Sequence, residues 1–456
     1  MIGPDYEDPS IPTPDQWNAK LVGSDGSSER DALKAWWEGY NDPSLTRLVE
    51  LAEKSNKDLA IAGERLVQAQ ASRKISRSLL FPSVDGSGSA TRSLASENTG
   101  LPGGGETSES WLTGFDVGWE LDLWGSNRRR LQAAAASEEV AAEVLRDTLV
   151  SLRAEVAITY IELRTIDERM SITRRNLATQ EESLELADKR FSAGVVPELD
   201  VQQAKANRAN TAAALPRFRQ QRAAALNRLA VLVGAYPQEI ESSISANGKI
   251  PSPANKVATG LPADLLRMRP DVRAAERRLA AANAEIGVAK GDLYPRFSLG
   301  GTFALQAMDS DSLFDSASRS YGFGPSFRWN LFSAGRVRNQ VRVEKSQTRE
   351  ALLAYEHTVL QAVAEVENAM VEIREERARI DQLNAAVAAA RKSRELIAAN
   401  YGDGLLPFQN VLDAERVQLQ SEDSLVESQG RLAAAYARLY KALGGSTSDD
   451  LTKEEE

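Results

Sequence analysis

The stretch from residue 126 to residue 193 contains no glycine and no proline, and at the α-helical rise of about 1.5 Å per residue it makes a rod about 100 Å long. Within it an apolar residue recurs at every seventh position: Leu149, Val156, Leu163, Met170, Leu177, Leu184 and Phe191, with Leu152 and Ile166 between them. That spacing is a coiled-coil seam. The seam returns 210 residues later as Val359, Val366, Ile373, Ile380, Val387 and Tyr401, with only Arg394 out of pattern, on a second rod free of glycine and proline from residue 336 to 401. The chain is therefore an internal duplication. A strict seven-residue repeat drifts against the 3.6-residue helix, so these rods are expected to coil left-handedly around neighbours rather than sit inside a globule.

With 456 residues, 42% of them hydrophobic and 26% charged, the chain is long enough to bury large cores, but the repeat argues against two or three ordinary independent domains. Lys and Arg number 55 against 65 Asp and Glu, a net charge of -10, which disfavours a nucleic-acid surface because phosphate binding needs clustered cations. There is no cysteine, so a disulfide, a thiolate nucleophile and a sulfur-ligated metal are excluded. The single histidine, His357, leaves little for zinc or general base work and reads as a residue on a polar helix face. No run approaches the roughly 18 apolar residues of a transmembrane helix. No signal peptide is read either, since Met1-Ile2-Gly3-Pro4 is followed at once by acidic and proline-rich sequence, as in a cytosolic protein or in an exported chain whose signal has been removed.

Residues 1–30, with Pro4, Pro9, Pro12 and Pro14, are expected to form an extended arm lying along another surface. Residues 31–234 form the first structural repeat. Trp36 and Trp37 lead to Asn41-Asp42-Pro43-Ser44, a helix start. A second helix runs from Lys57 to about Leu80 and is stopped by Phe81-Pro82, because a residue before proline is pushed out of the α region. A β-hairpin over 83–123 follows. In its second strand Trp111, Thr113, Phe115, Val117, Trp119, Leu121 and Leu123 share one face, and Leu112, Gly114, Asp116, Gly118, Glu120 and Asp122 share the other, the period of two of a strand. Residues 83–92 are its expected partner and 93–110 the loop.

A linker or small side element occupies 235–260, with prolines at 237, 251 and 253. The second repeat, 261–445, carries a hairpin over 297–331. Phe297, Leu299, Gly301, Phe303 and Leu305 alternate with small or polar residues, and Tyr321, Phe323, Phe327, Trp329 and Leu331 alternate against Gly322, Gly324, Ser326, Arg328 and Asn330. The acidic tail 446–456 is expected to be disordered.

One strand face is thus aromatic and aliphatic while the other carries Asp116, Glu120, Asp122 and Arg328, charges too costly to bury without partners. Apolar outside and polar within is the pattern of a transmembrane β-barrel, and an amphipathic sheet packed on helices shows the same alternation. Four strands cannot close a barrel, so in lipid several chains must share one, because an open edge leaves backbone groups unpaired.

Each rod ends at a matching turn, near 194–197 (Gly194, Val195, Val196, Pro197) and near 404–407 (Gly404, Leu405, Leu406, Pro407), where glycine ends one helix and proline opens the next. Returning helices run through Leu226, Leu229 and Leu232 to Gly234 and through Leu432, Leu439 and Leu443 to Gly444, completing two antiparallel hairpins. No nucleophile elbow, Walker loop or metal cluster is present, and carboxylate pairs such as Glu181/Glu182 and Glu372/Glu375 read as solvated helix faces. No cofactor is expected. Asp413 and Arg416, three apart and beside Glu415, share a helix face. They read either as a surface pair or as charges facing a pore axis, repeated by each copy to hold a constriction shut.

The run Gly260-Leu261-Pro262-Ala263-Asp264-Leu265-Leu266-Arg267-Met268-Arg269-Pro270-Asp271-Val272, continuing through Ala281-Ala282-Asn283-Ala284-Glu285-Ile286-Gly287 to Tyr294-Pro295, closely resembles the signature of TolC-like outer-membrane factors, most of all their OprM-type lipoprotein branch. Ile2-Gly3-Pro4-Asp5-Tyr6, the segment from Trp36-Trp37 to Leu45, Leu412-Asp413-Ala414-Glu415-Arg416 and Lys441-Ala442-Leu443-Gly444-Gly445 also match, so the resemblance covers essentially the whole chain.

The resemblance implies a mainly α fold with a transmembrane β part. A homotrimer would form a 12-stranded β-barrel in the outer membrane of a Gram-negative bacterium, four strands per chain, continued by a long periplasmic α-helical coiled-coil tunnel. It implies the exit duct of a tripartite efflux pump, no enzyme, docking through its helix tips with a periplasmic adaptor and an inner-membrane transporter of the resistance-nodulation-division type. Asp413 and Arg416 match the family's periplasmic gate pair, flanked by Glu415, and Gln409 stands where the branch often has an apolar gate residue. Asp116, Glu120, Asp122 and Arg328 would line the barrel lumen, and Trp111, Phe115, Trp119, Phe297, Phe303, Phe323, Phe327 and Trp329 would face lipid. The family's chain usually begins with an acylated cysteine just before the Ile-Gly-Pro-Asp-Tyr run. Met1 stands at or beside that place, so either signal and cysteine have been removed or this member lacks the anchor. Ducts for metal efflux or type I secretion are similar, and a soluble coiled-coil scaffold is the reading from another class.

Overall fold

The structure, a computed structural model, describes residues 1–9, 11, 14, 16–19, 35–99, 105–244, 248–252 and 268–445. Expectations for the rest of the arm, the tip of the first loop, the start of the central signature and the acidic tail lie outside the described residues.

Helix α1 (Pro43–Ser55) opens as the sequence dictates: Pro43 takes the first position and the Asp42 carboxylate accepts the amides of Ser44 and Leu45, groups with no intrahelical partner. Next come α2 (Lys57–Ser78), β1 (Ser83–Leu94) and β2 (Thr107–Leu121). Helix α3 (Ser126–Ser192) is followed by α4 (Glu198–Ala212), α5 (Ala214–Val233) and α6 (Pro237–Ser243), the last a short helix in the expected side element. The second repeat supplies α7 (Pro270–Gly291), β3 (Arg296–Ala307), β4 (Arg319–Arg328), α8 (Arg336–Gly402) and α9 (Phe408–Ala442). Helices α3 and α8 are each 67 residues long and begin at 126 and 336, so the duplication is kept to the residue.

It is not kept in the returning helices. Helix α9 runs unbroken for 35 residues, whereas its counterpart is divided into α4 and α5 at Ala213. The cause is Pro216, which lacks an amide hydrogen and whose ring collides with the carbonyl four residues back, that of Ala212, the last residue of α4.

Packing divides the chain into two compact units, residues 1–10, 65–142 and 274–356, and residues 11–64, 143–273 and 357–456. Each is built from both repeats. The first holds a four-stranded antiparallel sheet in the order β1-β2-β3-β4. The sheet joins the two repeats through β2 and β3, with Phe115 opposite Phe303 and Trp119 opposite Leu299. The start of the arm packs in this unit: Ile2 donates to the Trp124 carbonyl at 3.0 Å, and buried Arg129 holds the Ile2 carbonyl at 2.9 Å and Asp5 at 2.7 Å. Gly3 lies so close to Gly287 that a Cβ on it would come within 2.6 Å of the Gly287 Cα.

The second unit has a continuous core. Trp36, Trp37, Tyr40, Leu45, Leu48 and Val49 pack with Val156, Tyr160, Leu163 and Met170 of α3, Leu226 and Leu229 of α5 and Leu439 of α9. Trp36 stacks on Tyr440 at 5.1 Å. The α3 seam holds from Leu149 through Leu152, Val156, Leu163 and Ile166 to Met170, all buried. Beyond it Leu177 and Leu184 are half-buried and Phe191 is exposed, and the inward positions fall to Thr173, Asn176, Gln180, Ser183 and Ala187. The distal seam is polar because α9 meets it with carboxylates. The α8 seam stays apolar from Val359 through Val366, Ile373 and Val387 to Tyr401.

Candidate functional site

Two regions carry the residues singled out in the sequence, the sheet in the first unit and the helix tips in the second. In the sheet, directly opposed residues share a face, so the register assigns both faces. The rows Gly86-Phe115-Phe303-Tyr321, Val84-Val117-Gly301-Phe323 and Leu121-Phe297-Phe327 lie on one side, with Trp111 opposite Ala90 and Ala307. The rows Asp85-Asp116-Thr302-Gly322, Glu120-Ser298-Ser326 and Arg296-Arg328 lie on the other. The polar side is internally paired: Ser87 donates to Asp116 at 3.3 Å, and Arg296 lies 4.0 Å from Glu120. On the apolar side Phe323 is 85% exposed and Phe327 69%, a continuous aromatic surface that one chain leaves uncovered.

Five residues assigned to the strands lie past their ends, Asp122 and Leu123 after β2 and Trp329, Asn330 and Leu331 after β4. Asp122 follows the last residue of β2, and its carboxylate accepts the amides of Asn127 at 3.1 Å and Arg128 at 3.0 Å, capping α3 rather than pointing free from the polar face. Trp329 follows the last residue of β4 and donates its indole N–H to the Leu293 carbonyl at 3.2 Å. In the same way Trp119 donates to Leu80 at 3.1 Å and Trp124 to Pro295 at 2.9 Å, so three indoles are pinned to carbonyls in the connections between helix and strand.

At the tips both turns are built alike. Gly194 and Gly404 take φ of +72° and +77°, a region closed to most side chains. The amides of Val195 and Leu405 reach back to the carbonyls of Arg190 and Asn400 at 2.9 and 2.8 Å, the Schellman closure. Pro197 and Pro407 then precede the first residues of α4 and α9. Val195 and Leu405 are exposed while Val196 and Leu406 are half-buried, so each turn presents one aliphatic side chain outward. The tips are tied together by a cluster of Ala187, Val201, Ala204, Tyr401, Phe408, Val411 and Leu412. Arg190 lies over the Tyr401 ring at 4.7 Å and donates to the Tyr401 carbonyl. The Tyr401 hydroxyl donates to Asp200 at 3.4 Å; burial first and the Asp200 charge second push that hydroxyl above its ordinary range. Arg190 and Asp200 were not singled out in the sequence; the signal was an arginine and a tyrosine closing the last turns of the two long rods.

The four residues of the expected gate divide. Asp413 accepts from Arg416 at 3.4 Å and from Gln409 at 3.3 Å, and all three side chains are exposed on one face of α9. Glu415 faces the other way. It is 2% exposed and accepts from Ser183 of α3 at 2.6 Å and from Asn207 of α4 at 2.9 Å. Burial raises its carboxyl above the usual range, against the lowering effects of Ser183, Arg394 and Asn207. One heptad on, Glu422 repeats the arrangement with Asn176 of α3 at 3.0 Å and Arg391 of α8 at 2.7 Å. Between Asp423 and Arg169 runs a bidentate pair at 2.7 and 2.8 Å. Glu415 thus belongs to a ladder joining helices within one chain.

Among the described residues no group of His, Cys, Asp and Glu is placed to hold a metal ion, and no helix is long and apolar enough to cross a membrane. The chain matches the family described as outer membrane efflux protein over residues 48–235 and 261–445. It is 31% identical over 455 residues to the solvent efflux pump outer membrane protein SrpC of Pseudomonas putida, covering 98% of this chain and 95% of that one. It is 29% identical to the outer membrane protein OprJ of Pseudomonas aeruginosa, covering 97% and 92%. Among solved structures, that of the outer-membrane channel OprN superposes with a TM-score of 0.87 at 36% identity, covering 98% of this chain and 99% of that one.

Proposed function

The chain belongs to the outer membrane efflux protein family and is the outer-membrane exit duct of an efflux pump, and from that premise we propose how it is assembled and gated. Three copies close one 12-stranded barrel. The observation that carries this is the register: four strands present one aromatic and one polar face, with β1 and β4 left as open edges. An edge in lipid leaves backbone groups unpaired, and four strands are too few to close. The aromatic face meets lipid and the polar face lines water. The polar face holds Asp85, Asp116 and Glu120 against Arg296 and Arg328, so the lumen favours cations modestly.

The duct is passive, and its partners are a periplasmic adaptor and an inner-membrane transporter of the resistance-nodulation-division type. The outward Val195 and Leu405 of the two turns are the contacts offered to the adaptor. Asp413, Arg416 and Gln409 from three copies form the closure near the tips, and Glu415 holds the helix that carries them. The cargo is small toxic compounds, in keeping with the solvent efflux role in the name of the Pseudomonas putida relative. A native lipid anchor ahead of Ile2 belongs to the same proposal.

The test is the mass of the detergent-solubilised particle by light scattering together with conductance in planar bilayers. Three copies and cation-selective channels are expected; a monodisperse single chain that needs no detergent ends the reading.

A further inference from the structure

We infer that the ring of helix ends next to the sheet is a docking surface for anionic phospholipid headgroups. This rests on the reading of the sheet as a membrane-spanning wall. Three helix ends in the first unit are strongly basic in a chain whose net charge is -10. The last two turns of α2 hold Arg73, Lys74 and Arg77, the first two of α3 hold Arg128, Arg129 and Arg130, and the first two of α8 hold Arg336, Arg338 and Arg342, with no carboxylate among them.

Some of these cations are committed within the chain: Arg73 to Glu138, Arg128 to Asp122 and Arg129 to Asp5. The other six, Lys74, Arg77, Arg130, Arg336, Arg338 and Arg342, are exposed and make no ion pair among the described residues. On α8 they stand at the positive end of the helix dipole, where cations are disfavoured and acids stabilise, whereas on α3 that end already holds the capping carboxylate of Asp122. The chain uses the favourable choice elsewhere, with Glu198 and Asp200 in the first turn of α4 and Asp271 in that of α7. Both repeats place a cation at the same position, Arg128 and Arg338 being 210 residues apart, but only Arg128 has a carboxylate, Asp122, beside it. At α8 nothing among the described residues offsets this cost, and an anionic partner that meets the α2, α3 and α8 ends together would neutralise all six exposed cations.

The second observation identifies that partner. Trp124 and Trp329 lie in the connections between helix and strand, Trp119 near the end of β2 is tied to the carbonyl of Leu80 in such a connection, and Trp124 stacks on Tyr294 at 5.0 Å. Leu331 and Phe332, between β4 and α8, are 77% and 87% exposed. Indoles with a satisfied N–H and an apolar ring mark the level of the headgroups. Cations immediately beyond them, on the water side, are placed for phosphate diesters.

The test uses the assembled protein in vesicles of phosphatidylcholine with one third phosphatidylglycerol, in which either lipid carries brominated chains that quench nearby indoles. Phosphatidylglycerol is expected to be enriched around Trp119, Trp124 and Trp329 by at least about five-fold, what one cation near an anionic surface contributes. The enrichment should fall several-fold in 0.5 M salt, about a 4 Å Debye length, and vanish when all six cations are replaced by Gln. Two triple variants, K74Q/R77Q/R130Q and R336Q/R338Q/R342Q, cover the case in which the six-fold variant does not fold, and each should lose part of it. Equal quenching by the two lipids, or a preference that survives high salt or persists in the variants, overturns the inference while leaving the membrane wall intact. No quenching by either lipid overturns the membrane wall itself.

Discussion

Asp413 and Arg416 form an exposed pair one helical turn apart, and such a pair contributes well under about 1 kcal/mol to its own chain. On the proposed reading they act between copies rather than within one. Alanine at both is therefore expected to leave stability within about 0.5 kcal/mol of the parent while raising ion conductance in planar bilayers. Unchanged conductance would remove the gate and leave the duct standing. Glu415, the next residue but one, behaves in the opposite way. Its carboxyl is raised above the ordinary value of 4.5 by burial, so the folded state holds the proton more tightly than the unfolded chain does. The cost of ionising it is absent below the ordinary range and grows as pH rises from there through the raised value. Glu415→Gln should flatten that part of the melting temperature against pH profile. Glu415→Ala should destabilise by about 1–3 kcal/mol at any pH, because Ser183 and Asn207 lose their acceptor. Identical pH profiles for Gln and parent would show that Glu415 is not held in the seam.

The ladder to which Glu415 belongs explains where the seven-residue pattern was legible and where it was not. Leu149 to Met170 could be read because apolar periodicity reports burial wherever the partner is apolar. Past Met170 the partner side of α9 carries Glu415 and Glu422, and a seam of satisfied polar pairs has no apolar period to detect. Leu177 and Leu184 kept the period and lost the burial. Other misses were local: Pro216 divides a returning helix that leucine spacing alone made continuous, and Asp122 continues the strand alternation but is captured by the amides of α3. The tip turns were legible in full, because glycine at positive φ followed by proline permits little else. What holds the tips is the aromatic cluster around Tyr401 and Phe408, 5.1 Å apart. Phe408→Ala, at a side chain 2% exposed, is expected to cost about 3–5 kcal/mol. Since the cluster contains only tip residues, hydrogen exchange should quicken near 184–204 and 401–412 and stay unchanged in the core around Leu163. Protection lost equally in both places would mean that the tips have no separate cluster.

For the whole molecule the decisive question is which side of the sheet meets lipid, and the alternation alone left that open between a barrel wall and a packed amphipathic sheet. The register and the family bear on it in different ways: one shows that the apolar rows are continuous across the sheet, aromatic in β2, β3 and β4, the other that the protein resides in the outer membrane. A pair of substitutions at nearly the same depth separates the faces. Phe115 lies in the row Gly86-Phe115-Phe303-Tyr321 and Thr302 in the adjacent polar row Asp85-Asp116-Thr302-Gly322, so Phe115→Arg and Thr302→Arg add the same charge to opposite faces. If the aromatic face meets hydrocarbon, Phe115→Arg should cost each copy about 2–4 kcal/mol near mid-membrane. With three copies sharing one barrel, the loss is multiplied in the assembly, so the recovered trimer should fall sharply and melt at a lower temperature. Thr302→Arg faces water and Asp116, and should assemble as the parent does while shifting the reversal potential towards anions. Equal tolerance of the two substitutions would place both faces in water, and the reverse order would turn the wall inside out.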